Sequence, residues 1–533
     1  VYIAGWYEGA YVDLGGGALA NINPSSGTQD IFLAKYNFNG GLLWAKTFGG
    51  YSSEELTGLA VDNSGKVYVG GTTNSDTVWF NNGKIALNPT TSGLNNVYNF
   101  FLVQFDGNGN ANWVQYGNLS GASSISPSGN SNVAVDSSGH VYYAGSVAGT
   151  MSIGSHNINS GTGGVMFVAQ YDQDGNPGWL TQSTSLTTNL NPGDVIPYAL
   201  TTDHDGNCVV VGAFSDDNSF GGTVINTSND LYFDRFAAKL NKTDGSFMWA
   251  TGAGVWQGPD VNYGVSSDNS NNVYLAGYLT YPTEGPNSNA ETGEYFLEKL
   301  SANGDSAWIQ NSAFASSLGN YYVSTDADGN SYLALEIQDT AATFGNIHVN
   351  IPYPNNFGVP GITHAVVKFS NDGNAQWVKL TEGAGFLPIT TAGGIALDNA
   401  GCVYVAGSVS DTAYFGSHVL VGDNSTNDVF LADLCNGISS VDDNNLIAAG
   451  LSLYPNPTNT STELSWTVTT PGIYTISITN ITGQKVCSDF ETGPLNAGTY
   501  TRQINVSNLS NGVYFIGLST TKGAIYLKLV IEK

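Results

Sequence analysis

The pentapeptide VYIAG at Val1–Gly5 is the first of seven short apolar segments that recur in one register along the chain. The other copies are VYVGG at Val67–Gly71, VYYAG at Val141–Gly145, CVVVG at Cys208–Gly212, VYLAG at Val273–Gly277, SYLAL at Ser331–Leu335 and VYVAG at Val403–Gly407. Successive copies start 66, 74, 67, 65, 58 and 72 residues apart. A period of this length predicts an array of similar structural units.

Three further segments accompany the pentapeptide. A GxAxD segment precedes it and leads into a turn with Asp first and Gly fourth, as in DNSG at 62–65. FLAKY at Phe32–Tyr36 and LLWAK at Leu42–Lys46 follow it. Within a repeat, an Asn-Gly or Asp-Gly turn separates the FLAKY segment from the LLWAK segment. The tryptophan of LLWAK recurs at Trp44, Trp113, Trp179, Trp249, Trp308 and Trp377. Short apolar runs separated by such turns predict four antiparallel strands in each unit.

Seven four-stranded units predict an all-β fold, a seven-bladed β-propeller over residues 1–435. The repeated pattern resembles the seven-bladed β-propeller repeat family of bacterial secreted proteins. In that arrangement the six tryptophans are expected to pack between blades. The GxAxD and tryptophan segments occur only six times each. The first blade is therefore expected to lack its opening strand and the last its closing strand, which residues 436–443, absent residues or another molecule would supply.

Composition excludes several classes of partner. The chain has 533 residues and a formal net charge of −28, which disfavours nucleic acid and anionic membranes. No apolar run approaches the roughly 18 residues of a membrane-spanning helix. Four cysteines are too few for a disulfide scaffold and match no zinc signature.

The composition changes after Cys435. Residues 436–450 are polar and predict a linker, and residues 451–533 predict a small C-terminal β-sandwich. Its motifs, in order, are Tyr454, Pro455, Asn456 and Pro457, then Gly483, then Gly512 with Tyr514, and finally Lys528. They resemble the type A C-terminal sorting domain of the Bacteroidota type IX secretion system. The resemblance implies handling by the type IX machinery and an extracellular or outer-membrane cell-surface location.

Signals for catalysis and cofactors are sparse. The six histidines form no metal-binding pair, and no G-x-S-x-G or phosphate-loop motif occurs. We therefore expect no enzyme activity and no cofactor, with calcium as the one alternative. Asp203 and Asp205, and likewise Asp326 and Asp328, put oxygen ligands at alternate positions, as calcium prefers. The alternative is that these aspartates occur only because this type of turn favours Asp.

Three other groups of residues are candidate sites. A disulfide is expected between Cys402 and Cys435, because the start of one antiparallel strand lies beside the end of the next. Trp6, Trp79 and Trp256 lie outside the repeated register and could contact glycans or be buried beneath loops. Asp-Thr-apolar motifs at Thr77, Thr340 and Thr412 resemble the O-glycosylation acceptor of the Bacteroidota periplasm.

Two functions follow as hypotheses. The favoured one is a non-catalytic secreted or cell-surface protein that serves adhesion, glycan contact or extracellular assembly. Such assembly would be filamentous if head-to-tail contacts between copies do not close. The alternative is a secreted propeller enzyme that acts on polysaccharide, with carboxylates contributed by distant blades.

Overall fold

The structure is a computed structural model of residues 1–533. It describes all residues except 24–26, 39, 88–96, 127–128, 130, 187–194, 228–231, 255–259, 283–290, 314–320, 338–340, 352–362, 399–400, 416–417, 422–427, 435–447, 469–471, 481–484, 487–489, 493 and 521–522. The described residues form strands and turns with no helix, so the predicted all-β class is confirmed. It follows that none of them belongs to a helix long and apolar enough to cross a membrane.

The chain forms two compact units, Val1–Leu434 and Cys435–Lys533. Strands in the first part of the first unit are β1 Tyr2–Glu8, β2 Tyr11–Asp13, β3 Ala18–Ala20, β4 Gln29–Tyr36, β5 Leu42–Phe48, β6 Glu54–Val61, β7 Val67–Thr73, β8 Thr77–Trp79, β9 Ile85–Leu87, β10 Asn99–Phe105, β11 Ala111–Tyr116, β12 Asn118–Ser126, β13 Val133–Val135, β14 Val141–Ile153, β15 His156–Tyr171, β16 Pro177–Gln182 and β17 Thr184–Ser185.

The remaining strands of the first unit continue the same order. They are β18 Val195–Thr202, β19 Cys208–Phe214, β20 Asn218–Phe220, β21 Thr223–Ile225, β22 Asp234–Leu240, β23 Phe247–Ala253, β24 Val261–Ser267, β25 Val273–Pro282, β26 Glu291–Leu300, β27 Ser306–Ala313, β28 Tyr322–Thr325, β29 Ser331–Ile337, β30 Ala341–Phe344, β31 Ile347–Asn350, β32 Thr363–Phe369, β33 Ala375–Leu380, β34 Glu382–Leu397, β35 Val403–Phe415, β36 His418–Val421 and β37 Asp428–Asp433.

Seven antiparallel sheets follow one another along this unit, and we number them sheet 1 to sheet 7. Sheet 1 is β1-β4-β5, sheet 2 is β6-β7-β10-β11, and sheet 3 joins β12 and β13 to β14-β15-β16. Sheet 4 is β18-β19-β22-β23, sheet 5 is β24-β25-β26-β27, and sheet 6 is β28-β29-β32-β33. Sheet 7 consists of β34, β35, β36 and β37. Separate short hairpins lie in sequence between two strands of each of four sheets: β2-β3 between β1 and β4, β8-β9 between β7 and β10, β20-β21 between β19 and β22, and β30-β31 between β29 and β32.

The repeated pentapeptide and the FLAKY segment pair in the same register in every sheet. The last residue of the pentapeptide lies opposite the first residue of FLAKY, as in Gly5 opposite Phe32 and Gly145 opposite Phe167. A Cβ atom on either glycine would lie 2.8 Å from the opposing phenylalanine ring. In sheet 6 both positions change together, to Leu335 opposite Ala365. The exchange of a large and a small residue keeps the space between the two strands filled.

A hydrophobic cluster lies between each sheet and the next. Residues of sheets 1 and 2, 2 and 3, 3 and 4, 4 and 5, 5 and 6, and 6 and 7 each share one cluster. The last sheet also packs on the first, because Ala406 and Leu431 of sheet 7 contact the cluster that contains Ile3 and Phe32 of sheet 1. Every described sheet of the series therefore buries residues against two neighbours.

A tryptophan hydrogen bond joins each of the first five sheets to the next. The indole N–H donates to a backbone carbonyl in the turn between the third and fourth strands of the following sheet. The pairs are Trp44 to Gly107 (3.1 Å), Trp113 to Gln173 (3.1 Å), Trp179 to Lys242 (3.0 Å), Trp249 to Ala302 (3.0 Å) and Trp308 to Asn371 (3.0 Å). We call this contact the tryptophan–turn bond. A side chain of the strand before the tryptophan strand reaches the same turn, as Lys35 on β4 does at Gly107 (3.2 Å).

Glycine in the receiving turn is required for two reasons. Gly175 has φ +84°, and a Cβ atom there would lie 2.7 Å from the Trp113 ring. Gly109, Gly245, Gly304 and Gly373 repeat both features against the other four tryptophans. The tryptophan ring therefore lies directly against the turn whose carbonyl it binds.

The second unit contains two sheets that share one core. Its strands are β38 Ala448–Tyr454, β39 Ser461–Val468, β40 Thr475–Asn480, β41 Phe490–Glu491, β42 Gly498–Asn505, β43 Gly512–Thr520 and β44 Gly523–Ile531. The sheets are β38-β39-β42 and β41-β40-β43-β44. Trp466 of the first sheet and Ile476 and Ile516 of the second are buried together. The first strand begins at Ala448, inside the segment predicted as a linker.

Substitution of Gly175 tests the tryptophan–turn bond. We expect Gly175→Ala to lower the free energy of unfolding of the first unit by about 2–4 kcal/mol, because it adds both an unfavourable φ and a clash with Trp113. Gly65→Ala is the matched control, since Gly65 also has φ +84° but a Cβ atom there would have no neighbour within 4 Å. Gly65→Ala should lower the free energy of unfolding, measured in urea, by about 1 kcal/mol. Equal losses would mean that contact with the tryptophan contributes nothing.

Candidate binding site

An open cleft lies between the loop that leaves sheet 1 and the start of the β8–β9 hairpin of sheet 2. It has a volume of about 320 Å³. The lining residues are Tyr51, Ser52, Asn74, Asp76, Thr77 and Trp79. Tyr51 and Trp79 are 68% and 40% exposed, and their ring centroids lie 5.3 Å apart at an interplanar angle of 80°. We call this site the Tyr51–Trp79 cleft.

The β8–β9 hairpin presents Trp79 because of its strand alternation. Val78 and Ala86 are paired across the hairpin and buried in the core between sheets 1 and 2. Neighbouring residues on a strand point to opposite faces, so Trp79 and its partner Ile85 face outward. Ile85 is 42% exposed. The hairpin thus combines a buried apolar face with an exposed apolar face.

The corresponding hairpins of sheets 3, 4 and 6 carry a small hydroxyl residue at the position of Trp79. Ser152, Ser219 and Thr343 each lie immediately before a buried Ile or Phe, as Trp79 lies before Phe80. Sheet 7 has an aromatic residue there, Tyr414, which is 37% exposed. The fold therefore accepts a hydroxyl residue at this position, and packing does not demand the tryptophan of sheet 2.

Hydrogen bonds donated by backbone N–H groups hold the two walls of the cleft together. The N–H of Trp79 donates to the carbonyl of Gly49 at 2.8 Å. The N–H of Ser52 donates to Ser75 Oγ, and the N–H of Ser53 to Asn74 Oδ1, both at 2.8 Å. The backbone segments that carry the two aromatic rings are therefore held together, so a ligand would not need to order these segments.

Four polar groups in the cleft are available to a ligand. The carboxylate of Asp76, the hydroxyls of Ser52 and Thr77, and Nδ2 of Asn74 make no hydrogen bond to another residue that the structure describes. They supply both donors and acceptors beside the exposed rings. The arrangement suits a small ligand that combines an apolar face with several hydrogen-bonding groups.

Two buried carboxyl groups lie beneath the cleft wall. Glu54 accepts hydrogen bonds from the Gly50 N–H and the Thr73 hydroxyl, both at 2.7 Å. Burial raises the pKa of Glu54 to about 7, and the charge of Asp30 adds to this rise. Burial also raises the pKa of Asp30 to about 6, although the Ile22 N–H donates to its carboxylate. Both carboxyl groups thus bind protons more tightly in the folded chain than in the unfolded chain.

The raised pKa of Glu54 predicts a pH dependence of stability. Its contribution is fully present below the ordinary glutamate pKa and is lost as the pH rises through about 7. Glu54→Gln removes this titration. Its stability relative to the parent should therefore increase by about 1–3 kcal/mol between pH 5 and pH 8, measured by urea unfolding. Glu55→Gln, at the adjacent partly exposed carboxyl, is the matched control, and an unchanged difference between Glu54→Gln and the parent would contradict the assignment.

The predicted aromatic and threonine sites have different positions. Trp6 lies on β1 and is 49% exposed, and it does not line the Tyr51–Trp79 cleft. Trp256 and Thr340 lie outside the described residues. Thr77 lines the cleft, and Thr412 lies on β35. Modification of these threonines stays a prediction.

Sequence reasoning identifies Trp79 but misses its partners in the cleft. Tyr51, Ser52, Asn74 and Asp76 belong to segments whose sequences differ from sheet to sheet. The outward pair of Trp79 and Ile85 in an alternating hairpin is the available signal. The approach of Tyr51 from the preceding sheet depends on tertiary packing.

The acidic turns considered for calcium serve the fold. Asp203 accepts hydrogen bonds from the N–H and side-chain amide of Asn207, and its carboxylate lies 2.6 Å from Lys239 Nζ. Asp326 binds Asn330 in the same way. Asp205 and Asp328 lie in the same turns. The described residues contain no group of three or more His, Cys, Asp or Glu side chains arranged to hold a metal ion, and calcium stays a prediction.

A tyrosine completes most of these turns. The hydroxyl of Tyr68 donates to Asp62 at 3.1 Å, and Tyr274 donates to Asp268 at 3.0 Å. Each tyrosine is the second residue of the repeated pentapeptide. Sheet 4 has Val209 at this position, where the Lys239 ion pair with the turn aspartate occurs instead.

The structure also gives positions for cysteines and for residues of the C-terminal motif that the sequence analysis named. Cys402 is disulfide-bonded and Cys208 is a buried free thiol. Cys435, the predicted partner of Cys402, lies outside the described residues, so the pairing stays a prediction. Asn456 accepts a hydrogen bond from the Val530 N–H at 2.8 Å, which attaches the motif to the last strand. The remaining motif residues fall into three groups: Tyr454, Pro455 and Pro457 are exposed, Gly512, Tyr514 and Lys528 lie on β43 and β44, and Gly483 lies outside the described residues.

Comparison with known families gives one match. Residues 452–532 match the family described as "Secretion system C-terminal sorting domain". The second unit is therefore a type IX sorting domain, as its motifs predicted, and export to the cell surface or the extracellular space is confirmed.

The comparison with solved structures gives matches of low sequence identity. No match to a curated protein was found. A protein of unknown function from Bacteroides caccae is 12% identical, with 54% of this chain and 90% of that chain covered and a TM-score of 0.25. A Synechocystis apocarotenoid oxygenase variant is 10% identical, with 81% and 93% covered and a TM-score of 0.34. A europium-containing methanol dehydrogenase is 11% identical, with 87% and 85% covered and a TM-score of 0.34. Similarity at this level carries no functional argument.

Proposed function

We propose that this exported chain is a non-catalytic adhesion protein of the cell surface, in which a seven-bladed β-propeller presents binding loops to the surroundings. The type IX sorting domain brings the chain to the exterior. The observation that carries the proposal is the Tyr51–Trp79 cleft, an exposed aromatic site on a hairpin whose counterparts in sheets 3, 4 and 6 carry small hydroxyl residues. An aromatic side chain that packing does not require, beside unpaired polar groups, is typical of a binding site.

The seven-bladed propeller is supported by the packing of the sheets. Seven sheets follow one another in sequence with one cluster between each successive pair. The cluster shared by sheets 7 and 1 returns the series to its start. A β-propeller is the arrangement in which repeated antiparallel sheets each contact two neighbours in this way.

A binding role is favoured because the repeated polar side chains hydrogen-bond or ion-pair within the fold and so stabilise a scaffold. The turn aspartates, the pentapeptide tyrosines and the third-strand lysines or glutamines bind neighbouring parts of the fold. Arg235 and Glu298 form a buried ion pair between sheets 4 and 5. These groups stabilise a rigid scaffold that leaves the hairpins to contact partners.

Removal of the sorting domain tests the export that the proposal requires. Deletion of residues 448–533 should leave the first unit inside the outer membrane of a host with a type IX system. The full chain should be accessible to externally added protease on the same cells. A host that lacks the translocon should retain both forms, and surface accessibility of the truncated form would contradict this role.

Adhesion and catalysis are separated by a second pair of measurements. Cells that display the full chain should attach to polysaccharide-coated surfaces more strongly than cells that lack it. The purified chain should release no reducing sugar from the same polysaccharides. Release of reducing sugar would favour the polysaccharide enzyme, and equal attachment of both cell types would contradict adhesion.

Self-association is a second candidate, suggested by the exposed strand β37 of sheet 7. Val429 on β37 is 42% exposed, whereas residues at the same register of other sheets, Ile31, Phe100, Met166 and Tyr295, are buried. An extended segment of a second copy could pair with this strand and cover Val429. Light scattering of the purified chain should then show mass growth with concentration, which Val429→Lys abolishes. A constant monomer mass would contradict self-association.

A further inference from the structure

We infer that the Tyr51–Trp79 cleft binds a neutral pyranose ring of a polysaccharide or glycoconjugate. This inference deepens the proposed adhesion and rests on it for the biological setting, but the site and its ligand class follow from the cleft itself. The cleft combines two exposed aromatic rings with Ser52, Asn74, Asp76 and Thr77 along its sides.

The two rings suit a sugar because a pyranose has an apolar face of C–H groups. Trp79 and Tyr51 meet edge to face, with centroids 5.3 Å apart, so the two rings offer surfaces of different orientation. One ring can lie against the C–H face of a sugar while the other contacts its edge. The cleft volume of about 320 Å³ is at the small end of the range for ligand sites.

The polar groups suit hydroxyls better than a charged or wholly apolar ligand. A sugar hydroxyl both donates and accepts, and the cleft offers the Asp76 carboxylate, two hydroxyls and the Asn74 amide nitrogen. Its described lining contains no lysine or arginine to pair with a carboxylate or phosphate. Asp76 and the net charge of −28 further disfavour an anionic ligand.

The repeat supplies a substitution that the fold already accepts. Thr343 occupies the position of Trp79 in the β30–β31 hairpin of sheet 6, where its neighbours Ala342 and Phe344 are buried. Trp79→Thr therefore removes the stacking ring and keeps the buried face of the hairpin. Trp6→Ala is the matched control, since Trp6 is similarly exposed on a strand but does not line the cleft.

Affinity electrophoresis of the full chain in native gels tests the inference. The probes are the neutral polysaccharides β-glucan, xylan, mannan, galactan and starch, with polygalacturonate as an acidic comparison. At least one neutral polysaccharide should retard the parent and Trp6→Ala equally. Trp79→Thr and Tyr51→Ala should each raise the apparent dissociation constant obtained from this retardation by at least about tenfold, with unchanged thermal unfolding midpoints.

Three results would overturn the inference. They are retardation by no neutral polysaccharide, including retardation by polygalacturonate alone, retardation that persists in Trp79→Thr, and retardation that Trp6→Ala removes. Surface display and cell attachment are measured separately, so a chain that no neutral polysaccharide retards but that still promotes cell attachment would reject the sugar site and retain the proposed adhesion.

Discussion

The tryptophan–turn bond is the constraint on which the arrangement of sheets 1 to 6 depends. An indole N–H on the fourth strand of one sheet reaches a carbonyl in the next sheet, and its ring lies against a glycine of the same turn. The contact fixes both the spacing and the relative orientation of successive sheets, since a hydrogen bond is directional and the ring leaves no space for a side chain. Hydrophobic clusters between sheets supply most of the burial, but burial alone is not directional.

This rigidity has a consequence for the exposed hairpins. Each hairpin buries one face in the core between sheets, as Val78 and Phe80 do, so its outward residues are held at fixed positions. Function can then change by substitution at outward positions alone, because the buried face and the turns are untouched. The contrast of Trp79 with Ser152 and Thr343 is an example within one chain.

The repeated part of the fold could be predicted from the sequence because it is encoded locally. Turn residues, strand alternation and the tryptophan register recur at fixed offsets, and the structure has strands at each of those segments. The sequence also contains paired replacements, such as Leu335 in place of glycine together with Ala365 in place of phenylalanine. The Tyr51–Trp79 cleft was only partly predictable, since Tyr51 and Trp79 come from two sheets and nothing in the local pattern of Tyr51 indicates that it meets Trp79. The raised pKa of Glu54 likewise depends on burial that no motif reveals.

Hydrogen exchange of the tryptophan indole N–H groups tests the tryptophan–turn bond most directly. In nuclear magnetic resonance spectra of the full chain labelled with nitrogen-15, Trp44, Trp113, Trp179, Trp249 and Trp308 should exchange slowly, because their N–H groups are bound to the next sheet. Trp6 and Trp79, which are exposed, should exchange rapidly. Exchange of the five register tryptophans as rapid as that of Trp6 would contradict the account.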